Sequence, residues 1–249
     1  GLYYPVDFAS SGSSQIGGNV ATNAGGIKVI RYGLTRDWVA GMKVVTGSGA
    51  LLDCNAGLIK NATGYDFRHL MIGSEGTLGL IGELDMHLAP QPEPQIVMVV
   101  GVPSVVDLLD ILHAFSDKLT LSAFEFFSDL ALQKVQAHRK LPAPLANRVD
   151  NYALLEFDES ELAKAEEAFA FCMEEGWLVD GVISQSQAQA AALWQLREGI
   201  SESLAPYTPY KNDLSVRISE VPGFLADVDR YVNEGYPDFE VCWYGHIGD

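Results

Sequence analysis

The stretch APQPEPQIVMVVGV, residues 89–102, sets three prolines directly before a run that is apolar almost throughout. Proline fixes φ and donates no backbone N–H, so the cluster at 89–94 interrupts whatever precedes it. The uncharged run at 95–102 has the length and composition of a buried strand. A boundary is therefore expected near residue 92, with a sheet beginning just after it.

Downstream the texture alternates. SVVDLLDILHAFSDK (104–118) has helical spacing, LSAFEFF (121–127) reads as a strand, and DLALQKVQAHR as a helix. NYALLEFD (151–158), the amphipathic ELAKAEEAFAFCMEEG, WLVDGVIS and the helical QAQAAALWQLREGISESLA follow. KNDLSVRIS (211–219) is expected as a strand, VPGFLADVDRYVNEGY as a helix and FEVCWYGHI as a last strand. Alternation of this kind, with short gaps, predicts an α+β layer structure in which helices cover an antiparallel or mixed sheet. Upstream, residues 1–90 are rich in Gly, Asn and Thr. Short strand-like pieces lie in AGMKVVTGS, ALLDC and GTLGLIGELDMHLAP, with brief helical periodicity around 61–72. The expected domains are 1–92 and 93–249.

The chain has 249 residues and 48% hydrophobic content, enough for one large or two ordinary cores. Its net charge of −17 argues against a nucleic-acid groove, which needs basic side chains on phosphates. A small anionic substrate stays open, because a few local cations dominate a single pocket. No apolar run reaches membrane-spanning length and no signal-peptide pattern opens the chain. Cys54, Cys172 and Cys242 are well separated and form no CxxC pair, as in a reduced cytoplasmic protein. The opening GLYYPVDF and the closing VCWYGHIGD read as cut ends, so a fragment is expected.

Four segments carry the candidate chemistry. SSGSSQIGGNVATNAGG (10–26) is glycine-rich without being a phosphate loop or a GxGxxG turn. Its glycines allow close approach of the main chain to a bulky polar partner, or simply a turn-rich surface loop. KNATGYDFRHLMIGSEGTLGLI (60–81) holds Glu75 between Gly73 and Gly76. LWQLREGISESLAPYTPYKNDLSVRIS (193–219) holds Arg197, Lys211 and Arg217, and GHIGD holds His246.

Together, IGGNVATNAGG, NATGYDFRHLMIGSEGTLG, LWQLRE, YKND and GHIGD resemble the signatures of the FAD-linked oxidases and dehydrogenases of D-2-hydroxy acids, in the family's order and over nearly the whole chain. The resemblance implies the second half of a vanillyl-alcohol-oxidase-type (PCMH-type) FAD-binding domain at 1–92. At 93–249 it implies a substrate or cap domain, incomplete at its C-terminus. It assigns Pro5, Ser13, Ile16, Gly17, Gly18, Asn19, Thr22, Asn23, Glu75, Gly79 and Ile81 to FAD. The competing reading is that Thr22 and Asn23 satisfy turn backbone and that Glu75 makes a structural salt bridge.

Arg197 and Lys211 match the family's substrate-carboxylate residues, and Ser201, one turn beyond Arg197, could bind a second oxygen. A bidentate cation suits a carboxylate, though Arg197 could equally face solvent on its helix. Arg217, in SVRIS, departs from the family pattern; it reads either as a contact to a second substrate carboxylate or as a surface charge. By resemblance His246 is a zinc or manganese ligand in the intact protein, its partners lying outside this chain. One histidine alone is no site. The implied reaction is FAD-dependent oxidation of a D-2-hydroxy acid, of the D-2-hydroxyglutarate, D-lactate or glycolate type, to the 2-keto acid. An external electron acceptor of unassigned identity would complete it, and a homodimer is possible. The alternative is a non-catalytic piece that needs a partner chain to complete the flavin site.

Overall fold

Glycines and polar turns upstream and alternating strands and helices downstream give two compact units, Gly1–Gln91 and Pro92–Asp249. They are seen in a computed structural model, which describes residues 1–8, 12–55 and 57–249. Ser10 and Ser11 of the first glycine-rich segment lie outside the described residues.

In the first unit β1 (Leu2–Tyr3) precedes the helices α1 (Ile16–Thr22) and α2 (Val29–Tyr32). The strands β2 (Val39–Thr46) and β3 (Leu51–Cys54), the helical turn α3 (Arg68–Met71), β4 (Gly79–Met86) and β5 (Ala89–Pro90) follow. β3, β2 and β4 form an antiparallel sheet in that order, and β1 pairs antiparallel with β5. Alternation puts Met42 and Val44 of β2 against Val20 of α1 and Met71 and Ile72 around α3, making a small apolar core. Two expectations change here. Residues 16–22, read as loop, form a helix. The periodicity at 61–72 yields only the four residues of α3, because Gly64 takes a left-handed φ of 72° that stops any helix before it.

The second unit runs β6 (Gln95–Val102), α4 (Asp107–Ser116), β7 (Leu121–Ser128), α5 (Asp129–Arg139) and β8 (Asn151–Asp158). It continues with α6 (Leu162–Glu174), β9 (Asp180–Ile183), α7 (Gln187–Glu198), α8 (Ile200–Ser203), α9 (Val221–Gly235) and β10 (Tyr244–His246). The strands make one sheet, ordered β10-β7-β8-β6-β9, and every pair is antiparallel. The three central strands are buried nearly end to end, which is why they read as continuous apolar runs. On α4, Leu108, Ile111, Leu112 and Phe115 form the buried stripe that helical spacing requires. Two strand-to-helix junctions are capped by serine: Ser128 Oγ accepts from Ala131 N–H and Ser186 Oγ from Gln189 N–H.

KNDLSVRIS does not become a strand. Its residues 211–215 and 217 are exposed, Val216 and Ile218 are only half-buried, and no strand among the described residues pairs with it. The last expected strand shortens to Tyr244–His246; just before it Trp243 O still accepts from Ser128 N–H at 2.9 Å, while its Nε1–H donates to Asp229 Oδ1 at 2.9 Å.

Candidate functional site

Most of the residues expected at a cofactor collect around α1. The helix starts at Ile16 with Gln15 offering no side-chain cap, so its first amides rely on other partners. A Cβ on Gly17 or Gly18 would meet nothing within 4 Å. These glycines are therefore not required by packing, and they bare the backbone of the first turn. Beside them a cleft of about 310 Å³ is lined by Tyr4, Pro5, Asp7, Ser14, Asn19 and Lys28, among others. Pro5 and Asn19, both expected here, are buried in its wall, and Asn19 Nδ2 donates to Ser14 Oγ at 3.4 Å. Ser13 and Ile16 are exposed at the start of the helix.

The second glycine segment joins this helix directly. Gly73 N–H donates to Val20 O at 3.0 Å and Glu75 N–H to Ala21 O at 2.9 Å. Three of the four residues of the turn are left-handed, with φ of 80° at Gly73, 50° at Glu75 and 77° at Gly76. Glu75 is exposed, so the cost of burying its carboxylate does not arise. Thr22 and Asn23 act on the backbone: Thr22 Oγ1 donates to Gly18 O at 3.0 Å, and Asn23, at φ 50°, accepts from Arg36 N–H at 3.0 Å. Gly79 and Ile81 are bound by packing. A Cβ on Gly79 would come within 2.5 Å of Val44 Cγ1, and Ile81 lies half-buried against the apolar core.

In the second unit α7 is pinned to the sheet at two points one turn apart. Trp194 Nε1–H donates to Glu156 Oε2 on β8 at 2.9 Å. Arg197 Nη2 lies 2.8 Å from Glu125 Oε2 on β7, an ion pair rather than a well-aligned hydrogen bond. Arg197 is therefore buried, not on the solvent face of its helix, and its guanidinium sits over the Tyr244 ring. Its Nε–H has no acceptor among the described residues. The other Glu125 oxygen is 2.6 Å from His246 Nδ1, the two residues being direct cross-strand partners. That hydrogen bond raises the His246 pKa above its ordinary value, with burial opposing it. Lys211 reaches back to Ser201, its Nζ donating to Ser201 Oγ at 2.9 Å, and both are exposed.

Sequence reasoning missed Glu125, Glu156 and Tyr244. The signal was available: Glu125 is the lone acid of β7, and Glu156 lies inside the apolar part of β8, flanked by Leu155 and Phe157. Such a carboxylate is buried only with a partner. No His, Cys, Asp or Glu group among the described residues is large enough to hold a metal, and His246 Nδ1 is already engaged. The donors present do not by themselves make a zinc or manganese centre. They do fit part of a dinucleotide site: bare glycine backbone at a helix start, beside a cleft with polar walls.

Residues 91–249 match the family of FAD linked oxidases, C-terminal domain, and residues 1–55 match the FAD binding domain family. The chain belongs to the FAD-linked oxidases. Among curated proteins it is 59% identical to D-2-hydroxyglutarate dehydrogenase of Stutzerimonas stutzeri (strain A1501), covering 100% of this chain and 54% of that protein. It is 60% identical to the enzyme of the same name from Xanthomonas citri pv. viticola, covering 100% of the chain and 53% of the relative. To the mitochondrial D-2-hydroxyglutarate dehydrogenase of Rattus norvegicus it is 36% identical, over 98% of the chain and 46% of that protein. The chain thus spans about half the length of the curated relatives it matches. Of solved structures, an alkyldihydroxyacetonephosphate synthase superposes with a TM-score of 0.66 at 16% identity, over 98% of this chain and 50% of that one. p-Cresol methylhydroxylase superposes with a TM-score of 0.55 at 12% identity, over 78% and 43%. At those identities the likeness is one of fold.

Proposed function

We propose that this chain serves an FAD-dependent dehydrogenase that oxidises D-2-hydroxyglutarate to 2-oxoglutarate. The observation that carries the reading is the buried Arg197, paired on one side with Glu125 and left with an unmatched Nε–H. A guanidinium has five donors in a fixed fork, so an Arg197 already held by Glu125 retains capacity for one more carboxylate. The names of the 59% and 60% identical relatives support the five-carbon diacid as substrate.

In this reading residues 1–92 are part of the FAD-binding domain and 93–249 the substrate domain. Gly17 and Gly18, with Pro5, Asn19 and the turn at 73–76, hold FAD. Ser13, Ile16, Thr22, Asn23, Gly79 and Ile81 shape that wall. Bound FAD supplies the two-electron acceptor for the hydride leaving C2. The substrate's 1-carboxylate docks on Arg197, and Lys211 with Ser201 adds donors to the same anion. Tyr244 and Glu125 hold the guanidinium still, so that binding orders the substrate and not the protein. Arg217, exposed beyond Lys211, takes the distal carboxylate. A reducing, cytoplasmic setting agrees with three unpaired thiols.

The test is the complete gene product, purified and examined for flavin absorbance. D-2-Hydroxyglutarate should bleach the visible flavin absorption and D-lactate should do so more weakly. Flavin that D-2-hydroxyglutarate does not reduce overturns the substrate. Colourless protein that takes up no FAD would favour a piece completed by a partner chain.

A further inference from the structure

Glu125 is the most enclosed charged side chain in the second unit, about 1% exposed, in the middle of a strand whose neighbours are Phe124 and Phe126. An ionised group so placed is costly unless its partners are fixed. Its partners come from two different elements. Arg197 descends from α7 to Oε2 at 2.8 Å, and His246 reaches across from β10 to Oε1 at 2.6 Å. Each carboxylate oxygen thus has one partner, and the two partners are brought to one point by this side chain. Neighbouring elements add Tyr244, under the Arg197 guanidinium, but no second acid pairs with Arg197 or His246 among the described ion pairs.

From this geometry we infer that Glu125 is a positioning residue, the common anchor that orients the carboxylate-binding Arg197 and fixes the tautomer of His246. The inference rests on the substrate reading given above for Arg197. A carboxylate in an ion pair accepts and does not donate, so His246 Nδ1 carries the proton toward Glu125. Nε2 is then the ring nitrogen left bare, able to accept a hydrogen bond from a hydroxyl. Glu125 also takes up one side of the guanidinium, which confines an incoming anion to the remaining edge. A glutamine here keeps the shape but loses the charge, and its NH2 can turn toward either partner. An aspartate keeps the charge on a shorter stem.

Two measurements test this. In the wild-type protein, long-range proton–nitrogen spectra recorded at high pH, where the ring is neutral, should show His246 protonated at Nδ1 and bare at Nε2. The opposite tautomer overturns the inference, whatever the enzyme oxidises. In the complete flavoprotein, Glu125→Gln should keep its FAD content while KM for D-2-hydroxyglutarate rises on the order of 10-fold and kcat falls as well, with Glu125→Asp recovering part of both. Because Glu125 acts through Arg197, adding Glu125→Gln to Arg197→Ala should change KM by less than a factor of about two. Wild-type kcat and KM in Glu125→Gln, or fully additive effects in the double variant, overturn the anchoring role. If the wild-type flavoprotein oxidises no D-2-hydroxy acid, the substrate reading fails and the tautomer measurement still decides the anchor. Should Glu125→Gln fail to fold, the wild-type spectrum carries the test alone.

Discussion

The guanidinium carbon of Arg197 lies 5.0 Å from the centroid of the Tyr244 ring, so the cation is held against an aromatic face on β10. Losing Arg197 removes a desolvated charge contact to the proposed substrate, worth roughly 2–5 kcal/mol. In the complete enzyme Arg197→Ala should lower kcat/KM by on the order of 30-fold or more, and Arg197→Lys should recover only part. Tyr244→Leu removes only the ring, a contact of about 0.5–2 kcal/mol, and should cost roughly 2- to 30-fold. Steady-state kinetics decide; a near-wild-type Arg197→Ala with full FAD would show that its burial serves stability alone.

Lys211 and Ser201 meet on the surface, so their hydrogen bond should matter little to folding. Lys211→Met is expected to leave the unfolding free energy within about 0.5 kcal/mol. If Lys211 assists in binding, KM for the hydroxy acid should nevertheless rise. Arg217→Ala should raise KM for D-2-hydroxyglutarate and spare D-lactate. Equal effects on both acids would remove Arg217 from the distal carboxylate.

Two sets of glycines should behave oppositely. Alanine at Gly17 or Gly18 meets open space and should fold normally, while valine there should weaken FAD binding by crowding the bare backbone. Alanine at Gly79 would press on Val44 Cγ1 and on Val45 O, only 2.8 Å away. Overpacking of that kind costs about 1–3 kcal/mol and should appear as a lower melting temperature with or without FAD. Melting curves across an FAD titration separate the two effects.

Arg68 ties α3 to β2, its Nη1 donating to Val39 O at 2.8 Å and to Ala40 O at 2.7 Å while Nη2 pairs with Asp66. Arg68→Ala should destabilise the first unit by about 1–3 kcal/mol, read by chemical denaturation. The Asp66 carboxyl is held below its ordinary 3.8, chiefly by the hydrogen bond from Arg68. A lowered folded pKa gives stability that is present above about pH 4 and is lost as pH falls through the folded value. Asp66→Asn should therefore lower stability at neutral pH, change it least at acid pH where Asp66 is already protonated, and so flatten the acid limb of the stability profile.

Burial pushes the Cys172 thiol up to about 11, so almost none is thiolate at pH 8. Native protein exposed to iodoacetamide should stay unmodified at Cys172 and react there only after denaturation. Peptide mapping by mass gives the answer directly.

Much of the second unit was legible residue by residue. QIVMVVGV, NYALLEFD and DLALQKVQAHR became β6, β8 and α5 with the expected bounds, because the first two are mostly apolar runs of strand length, buried nearly end to end, and the third has helical spacing. The candidate site was legible only in part. Arg197 and His246 could be picked out by residue type and surrounding pattern, but Glu125 looked like one polar residue in an apolar strand. KNDLSVRIS went wrong for the complementary reason: a period of two states what a strand would bury, not whether another strand is there to receive it.

The amino-acid sequence by itself determined the proline boundary and the order of the elements from β6 to α7, which follow from local pattern, and its five motifs carried the resemblance to the family. Only the tertiary structure decided that Arg197 points into the sheet, that one buried carboxylate joins it to His246, and that residues 73–75 bond to α1. Those pairs are 72, 121 and more than 50 residues apart in sequence (Arg197–Glu125, His246–Glu125, Gly73–Val20), and no local periodicity encodes a partner at such distance. The register of β10 on β7 and the seating of α7 select them, because a buried charge is stable only where the fold brings its counter-charge.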